Sequence, residues 1–352
     1  MVRVLLVADT HLGFDLPARP RSDRPHRGAD FFANLDRALA PAHRGEVDLV
    51  VHGGDLLFRS RVKAGLVVRA LEPLLAVADR GVPVVLVPGN HERSALPYPL
   101  LAAHAGLHVL DAPRTVRLDV RGATVAVAGF PCRREGVASA FAALVAASGD
   151  GRPADVRLLG IHQAVEGATV GPADFTFRAG GDVVPGAAIP PGFAAVLAGH
   201  IHRHQVITRD LAGRPLAAPV IYPGSIERTA FAERSEPKGF VTLDVEPDPE
   251  VGGRLRGWTF HELPARPMAV LAVDATGLSD AALSRRLGAL LAQQPAAAAV
   301  QLRVRGALTS DGAEALRAAA LRRLHPPTML VSVRVADGSG PGTAPGSARR
   351  RP

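Results

Sequence analysis

Residues 2–11 read Val2-Arg3-Val4-Leu5-Leu6-Val7-Ala8-Asp9-Thr10-His11, an apolar run cut short by an Asp-x-His pair. A short run of Val and Leu that stops at polar residues reads as a buried strand. The same phrase recurs four times along the chain. Residues 47–51 lead into Gly53-Gly54-Asp55, and 82–87 into Gly89-Asn90-His91-Glu92. Residues 156–160 lead to His162, and 193–198 to Gly199-His200-Ile201-His202. In sheets with helical crossovers, ligands bind in the crevice beyond the carboxyl ends of the strands. Five strand ends therefore carry Asp, His and Asn toward one sheet edge, and none carries Cys. Imidazole, carboxylate and amide donors together suit divalent ions such as manganese. The pattern predicts a hydrolase with a pair of metal ions.

Around these runs the first half alternates strand and helix. Residues 30–43 form an amphipathic helix with Phe31, Leu35, Ala38 and Leu39 on one face, and 62–79 form a second, stopped by Arg80-Gly81 and Pro83. A short helix is expected at 100–104 and another at 136–147. Strands are expected at 109–110, 116–120 and 124–128, the last two joined by an Arg121-Gly122 turn. The Arg- and Pro-rich stretch 17–27 reads as an exposed loop, and 164–192 as a long irregular one. Strand-like runs at 204–208, 220–222, 240–245 and 255–263 suggest a second, more antiparallel sheet. Pro264-Ala265-Arg266-Pro267 reads as a hinge. Beyond it, strand 269–273, helix 279–291, strand 300–305, helix 310–324 and strand 329–335 describe a small α/β domain able to cap the site. Asp280 and Asp311 stand at the two helix starts, where the helix dipole favours negative charge. The expected division is 1–263, 264–335 and a disordered Gly/Pro/Ser/Arg tail at 336–352.

The chain has 352 residues, enough for one large and one small domain. Its formal net charge is +8, carried almost wholly by arginine, since Lys63 and Lys238 are the only lysines. A basic balance favours polyanionic partners, although Arg349, Arg350 and Arg351 account for part of it and a GC-rich genome would give the same composition. Cys132 alone forms no internal disulfide, which fits a reducing, cytoplasmic setting. No run reaches the ~20 apolar residues that cross a bilayer, so no membrane association is expected.

Two-metal sites hold their ions roughly 3.5–4 Å apart and clamp the attacking and leaving oxygens of an in-line displacement. Asp55, in a Gly-Gly-Asp turn, is the natural bridge. Asp9, His11 and His202 then complete one ion, and Asn90, His162 and His200 the other. His200 and His202 are two apart, so an extended chain would send both to one side. A sharp turn or different rotamers must separate them. His52 beside the site matches no ligand position and is read as a hydrogen-bonding neighbour or a simply buried group. Arg19, Arg21, Arg24 and Arg27 are read equally as phosphate contacts or a solvated loop. Arg59, Arg61 and Arg93 lean toward phosphate, and Arg228 toward bracing a turn.

The order Asp-x-His, Gly-Asp, Gly-Asn-His-Glu, His, Gly-His-x-His resembles the calcineurin-like metallophosphoesterase pattern over roughly residues 1–245. Local features are similar to its SbcD-type DNA repair exonuclease branch. They are Asp9-Thr10-His11-Leu12-Gly13, Arg27 with Asp30-Phe31-Phe32, Gly54-Asp55-Leu56-Leu57-Phe58, and Tyr222 to Thr229 followed by Glu236-Pro237-Lys238-Gly239-Phe240. The resemblance implies an α/β (α+β) sandwich of two mixed β-sheets flanked by helices, with a small C-terminal capping domain. It also implies a manganese pair, DNA as substrate and phosphodiester cleavage, with His91 as the catalytic imidazole that is not a ligand. The family commonly has a carboxylate or imidazole three positions after the Gly-Asp aspartate to orient that histidine; here Phe58 stands there. Members that work with an SbcC-type ATPase carry a docking helix after the cap, whereas 336–352 offers only a short tail. A homodimer stays open. Two other functions fit the same residues: a phosphoesterase for small phosphate esters or cyclic nucleotides, and a DNA-binding protein with weakened catalysis.

Overall fold

A computed structural model of the chain describes residues 1–16, 26–92, 96, 104–309 and 313–335. Arg19, Arg21, Arg24, Arg93, most of the helix expected at 100–104 and the tail 336–352 lie outside them. In chain order the first elements are β1 (Val2–Val7), α1 (Gly28–His43), β2 (Leu49–His52), α2 (Ala64–Ala78), β3 (Val84–Leu86) and β4 (Leu107–Val109). There follow β5 (Arg114–Val120), β6 (Ala123–Gly129), α3 (Val137–Ser148) and β7 (Val156–His162). Four two-residue strands come next, β8 (Ala164–Val165), β9 (Thr169–Val170), β10 (Phe175–Thr176) and β11 (Val183–Val184). Then come β12 (Ala195–Gly199), β13 (Gln205–Arg209), β14 (Pro215–Tyr222), β15 (Lys238–Glu246) and β16 (Arg254–Leu263).

The long strands form two six-stranded sheets, β16-β15-β1-β2-β3-β4 and β13-β14-β12-β7-β6-β5, both mixed. Side chains alternate across a strand, so one apolar run feeds two cores. In β1, Val2, Val4 and Leu6 face the second sheet, meeting Val125, Val127, Leu158 and Leu197. Leu5 and Val7 face the opposite way, onto Phe31, Leu35 and Leu74 of α1 and α2. On the far side Val137 and Phe141 of α3 cover Leu159, Ile161, Val196 and Ala198. The layers run helix, sheet, sheet, helix. Each fully buried Val, Leu or Phe contributes about 1.5–3 kcal/mol. The apolar packing between these layers is what holds five strand ends in fixed relation.

Three sequence expectations change here. The four strand-like runs after residue 204 do not make a sheet of their own. β13 and β14 join β12 in the second sheet, while β15 pairs antiparallel with β1 (Leu6 opposite Val241) and β16 extends that edge. β15 buries Val241, Leu243 and Val245 between the sheets and Phe240 toward the helices, and its pairing with β1 on one side and β16 on the other places it inside a sheet. The stretch 164–192 is not wholly irregular, since β8 pairs with β11 and β9 with β10. Arg27 is buried, its guanidinium over Phe14 and Phe31, and so is no part of a solvated loop.

A second compact unit begins at Arg266, the first reaching Ala265. It holds β17 (Met268–Asp274), α4 (Asp280–Ala292), β18 (Ala299–Arg305), α5 (Ala318–Leu321) and β19 (Leu330–Val335), the three strands parallel in chain order. Leu283, Leu287 and Leu291 recur at helical spacing on α4 and pack on Val300, Leu302 and Val304. Ser279 caps the helix through the Ala282 amide. The helix expected at 310–324 shrinks to a 3₁₀ turn, Glu314–Leu316, and α5, because Arg317 between them is extended (ψ 144°). Ala315 and Leu321 are the buried residues those two pieces offer, too narrow a stripe to hold a longer helix. Among the described residues no helix is long and apolar enough to cross a membrane.

Candidate metal centre

The ends of β1 and β2 are zipped side by side beyond the sheet. The Asp9 amide donates to Gly54 O (2.9 Å), the His11 amide to Asp55 O (3.0 Å) and the Leu12 amide to Leu56 O (2.8 Å). Asp9, His11 and Asp55 all sit at left-handed φ (51°, 43° and 52°), as does His200 (87°). Such conformations cost non-glycine residues on the order of 1–3 kcal/mol and persist where surrounding structure over-determines them. Here they turn each side chain back across its strand end. At His200 the turn separates it from His202: His200 Nδ1 lies 3.2 Å from Asn90 Oδ1, whereas His202 Nε2 lies 2.9 Å from His11 Nε2. The split between neighbours two residues apart is thus a backbone effect.

Glycines make the close approach possible. A Cβ on Gly54 would meet the His162 ring at 2.4 Å, and one on Gly89 would meet Asp55 Oδ1 at 2.2 Å. Asp55 Oδ1 accepts from the His91 amide (3.0 Å), and Oδ2 lies 3.5 Å from His162 Nε2 and 3.6 Å from His91 Nε2. His162 closes β7 itself. Its Nδ1 faces Gly53 O at 2.8 Å and its Nε2 faces Asn90 Oδ1 at 3.2 Å. Asp9 accepts the His200 amide on both oxygens (3.1 Å each) and lies 3.8 Å from His202 Nε2. All seven residues singled out as ligands, Asp9, His11, Asp55, Asn90, His162, His200 and His202, therefore meet in one cluster, with His91 at its rim.

Charge in this cluster is badly matched without a cation. Burial holds His11 at about 3 and His200 at about 4, so both imidazoles are neutral at physiological pH. Burial opposes charge on His202, yet the Glu233 carboxylate hydrogen-bonded to it raises its pKa, and its Nε2 stands 2.9 Å from that of His11, where a shared proton or a cation satisfies both nitrogens. Burial also raises Asp9 above the ordinary carboxylate range. Burial opposes charge on His162 too, yet Asp55 beside it draws its pKa up to about 9. The field that pulls a proton onto His162 would equally hold a divalent cation. Three donor groups have ligand atoms all within 4.8 Å of one another: Asp9–His11–His202, His11–Asp55–His91 and Asp9–Asp55–His162. Oxygen and imidazole donors at this density fit hard to borderline divalent ions.

Beside the cluster opens a cleft of about 290 Å³, lined by Phe14 and Phe58 together with His91, His200 and His202. Phe58 carries the Arg59 guanidinium 4.3 Å above its ring. Groups outside the ligand set complete the frame. Glu92 is fully buried and accepts three amides, Gly89 (2.7 Å), Asp55 (2.9 Å) and Leu57 (2.9 Å), tying two ligand turns together. Burial and Asp55 raise its pKa to about 7. His52 lies 3.1 Å from Thr10 Oγ1 and takes the Gly54 amide at 3.2 Å, as a hydrogen-bonding neighbour. Arg228 braces a turn through the carbonyls of Glu233 (3.1 Å) and Glu236 (2.9 Å). The Glu in Gly-Asn-His-Glu was visible, but nothing in spacing says that it points inward.

The cluster is assembled from both sheets, and the family model described as calcineurin-like phosphoesterase matches residues 2–204, over half the chain. The chain belongs to the calcineurin-like phosphoesterase family. This metallophosphoesterase is also similar to curated DNA double-strand break repair and nuclease proteins. It is 37% identical to the Mre11 protein of Haloferax volcanii over 92 residues, 26% of this chain and 20% of the relative. It is 26% identical to Mre11 of Saccharolobus solfataricus over 230 residues (61% and 55%). With the SbcD component of the Bacillus subtilis nuclease SbcCD it shares 26% over 277 residues (71% and 68%). The matches thus span about a fifth and about half of the first two relatives' lengths. The phosphoesterase is a hydrolase distantly related to these nucleases, with a candidate dimetal site typical of its family.

Proposed function

We propose that the chain is a manganese-dependent DNA nuclease of the SbcD type, cleaving phosphodiester bonds in DNA repair. The observation that carries this reading is the convergence of Asp9, His11, Asp55, Asn90, His162, His200 and His202 from five strand ends. Asp55 would bridge, with Asp9, His11 and His202 on one ion and Asn90, His162 and His200 on the other. When bound, such a pair lowers the pKa of water and neutralises charge developing on a phosphoryl group. His91 stands at the rim of the cleft, about a third exposed, where its ring can meet a leaving oxygen as proton donor. Phe14 and Phe58 line the cleft and would give a sugar or base an apolar surface to rest on. Phe58 offers no polar group to orient His91, whose backbone N–H donates to Asp55 Oδ1 (3.0 Å) and whose Nε2 lies 3.6 Å from Asp55 Oδ2.

The DNA reading draws on the relatives' names and on charge. Residues 266–335, read as a capping domain that helps hold substrate, contain nine arginines against four carboxylates. Arg303 and Arg334 stand in register on neighbouring strands, both exposed, where like charges repel unless an anion lies between them. The test is the product pattern on end-labelled single- and double-stranded DNA with Mn²⁺, wild type beside Asp55→Ala. Metal-dependent shortening lost in the variant supports a nuclease. Turnover of small phosphate esters with DNA untouched would move the reading to a small-molecule phosphoesterase, and DNA binding without hydrolysis to a binding protein.

A further inference from the structure

Lys238 is fully buried, one of two lysines in the chain, and it lies next to the metal cluster without belonging to it. Its Nζ donates to the His202 carbonyl at 2.9 Å and pairs with Glu233 at 2.8 Å and Glu236 at 3.2 Å. Glu233 is buried as well, and its Oε1 stands 3.1 Å from His202 Nδ1. Thr229 holds the same carboxylate through its hydroxyl (2.8 Å to Oε1) and its amide (3.3 Å to Oε2). Glu236 in turn takes Arg203 Nε at 3.1 Å. One carboxylate and one ammonium thus grip both the ring and the main chain of a single histidine. Buried ion pairs of this kind are seldom worth their desolvation for stability alone.

We propose that Glu233 and Lys238 are a positioning pair that fixes His202 as a metal ligand. Glu233 accepts the proton of His202 Nδ1, which leaves the Nε2 lone pair directed at Asp9 and His11. Lys238 holds Glu233 ionised and in place, and by binding the His202 carbonyl it stops the loop from sliding along the strand end. Thr229 fills the remaining lone pairs of the carboxylate, so that it cannot rotate away from the ring. The pair acts on one of the two ions only, the one formed by Asp9, His11 and His202, and it touches neither Asn90, His162 nor His200.

This inference rests on the metal-site reading above, and its test separates the two. Metal-free protein is titrated with Mn²⁺ by calorimetry, with the Mn²⁺ electron paramagnetic resonance signal recorded alongside, for wild type, Glu233→Gln, Lys238→Met and Thr229→Val. Wild type takes up two ions. In Glu233→Gln and Lys238→Met one ion weakens roughly 10- to 100-fold while the other keeps its affinity, and the spin-coupled signal gives way to that of an isolated ion. Thr229→Val, isosteric and only partly buried, shifts the same ion by a smaller factor and serves should the other two fail to fold. Folded variants with two wild-type affinities overturn the positioning role, as does equal weakening of both ions. A wild-type protein that binds fewer than two ions overturns the site reading itself, and this inference with it.

Discussion

At the scale of single residues, which side chains would gather in one cluster was legible and their backbone conformations were not. Asp9, His11, Asp55 and His200 all adopt left-handed backbone that no spacing rule announces in a non-glycine residue. Glu233 and Lys238 lie 31 and 36 residues beyond the His202 they hold, so only the fold brings them to it. Glycine sites give a sharp prediction. A methyl at Gly89 meets the Asp55 carboxylate oxygen at 2.2 Å and the Asp55 amide at 2.4 Å, and neither can move without shifting Asp55 within the cluster. Gly89→Ala should keep the fold yet weaken Mn²⁺ uptake by at least about tenfold, read by calorimetry. His52 supports a pH prediction. Burial lowers its pKa from 6.5 to about 3, so between these values the unfolded chain binds a proton that the native one does not. Stability therefore rises with pH in that window and is lost as pH falls below about 6.5, by ~2 kcal/mol at pH ~5. Thermal melts in chelator should show a shallower loss between pH ~7 and ~5 for His52→Gln than for wild type.

At the scale of elements, existence was easier to read than partnership. The apolar runs feeding each ligand turn appear as strands within a residue or two of where periodicity puts them, because burial on both faces leaves a continuous Val/Leu signature. The Arg121-Gly122 turn was equally plain, and both residues take the positive φ that a tight hairpin requires (51° and 76°). Which strand pairs with which was not legible: nothing local says that β15 leaves its neighbours in sequence to lie against β1. The second unit invites a test of independence, since every candidate ligand falls between Asp9 and His202. Leu287 is fully buried on α4 within the core of that unit. Leu287→Ala should cost about 2–5 kcal/mol through the lost side chain and the cavity it leaves. The expected outcome is an early unfolding transition by circular dichroism with two-ion Mn²⁺ binding unchanged. Loss of metal binding together with that transition would show the units to fold as one.

At the scale of the whole molecule, charge is divided unevenly. Residues 1–265 hold 29 basic and 28 acidic side chains, so the part with the candidate metal cluster is nearly neutral, while the excess lies beyond residue 265. On the proposed DNA reading, long-range attraction of the polyanion would come mostly from the second unit, and a metal pair would add affinity only at short range. Arg303 and Arg334 are the clearest carriers, exposed and side by side on the face of the sheet opposite α4. Neutralising phosphates releases counterions, so affinity falls linearly with log salt and each lost contact reduces the slope by about 1. The double variant Arg303→Gln/Arg334→Gln should therefore bind DNA more weakly at low salt, with a slope shallower by about 2, and equally so for unrelated sequences. Its Mn²⁺ affinity should match wild type, because no candidate ligand lies in the second unit. Fluorescence anisotropy across a salt series measures the slope, and calorimetry the metal. An unchanged slope would mean that the backbone is held elsewhere, with Arg59 and Arg61, just past the Asp55 turn and exposed, as the next pair to remove.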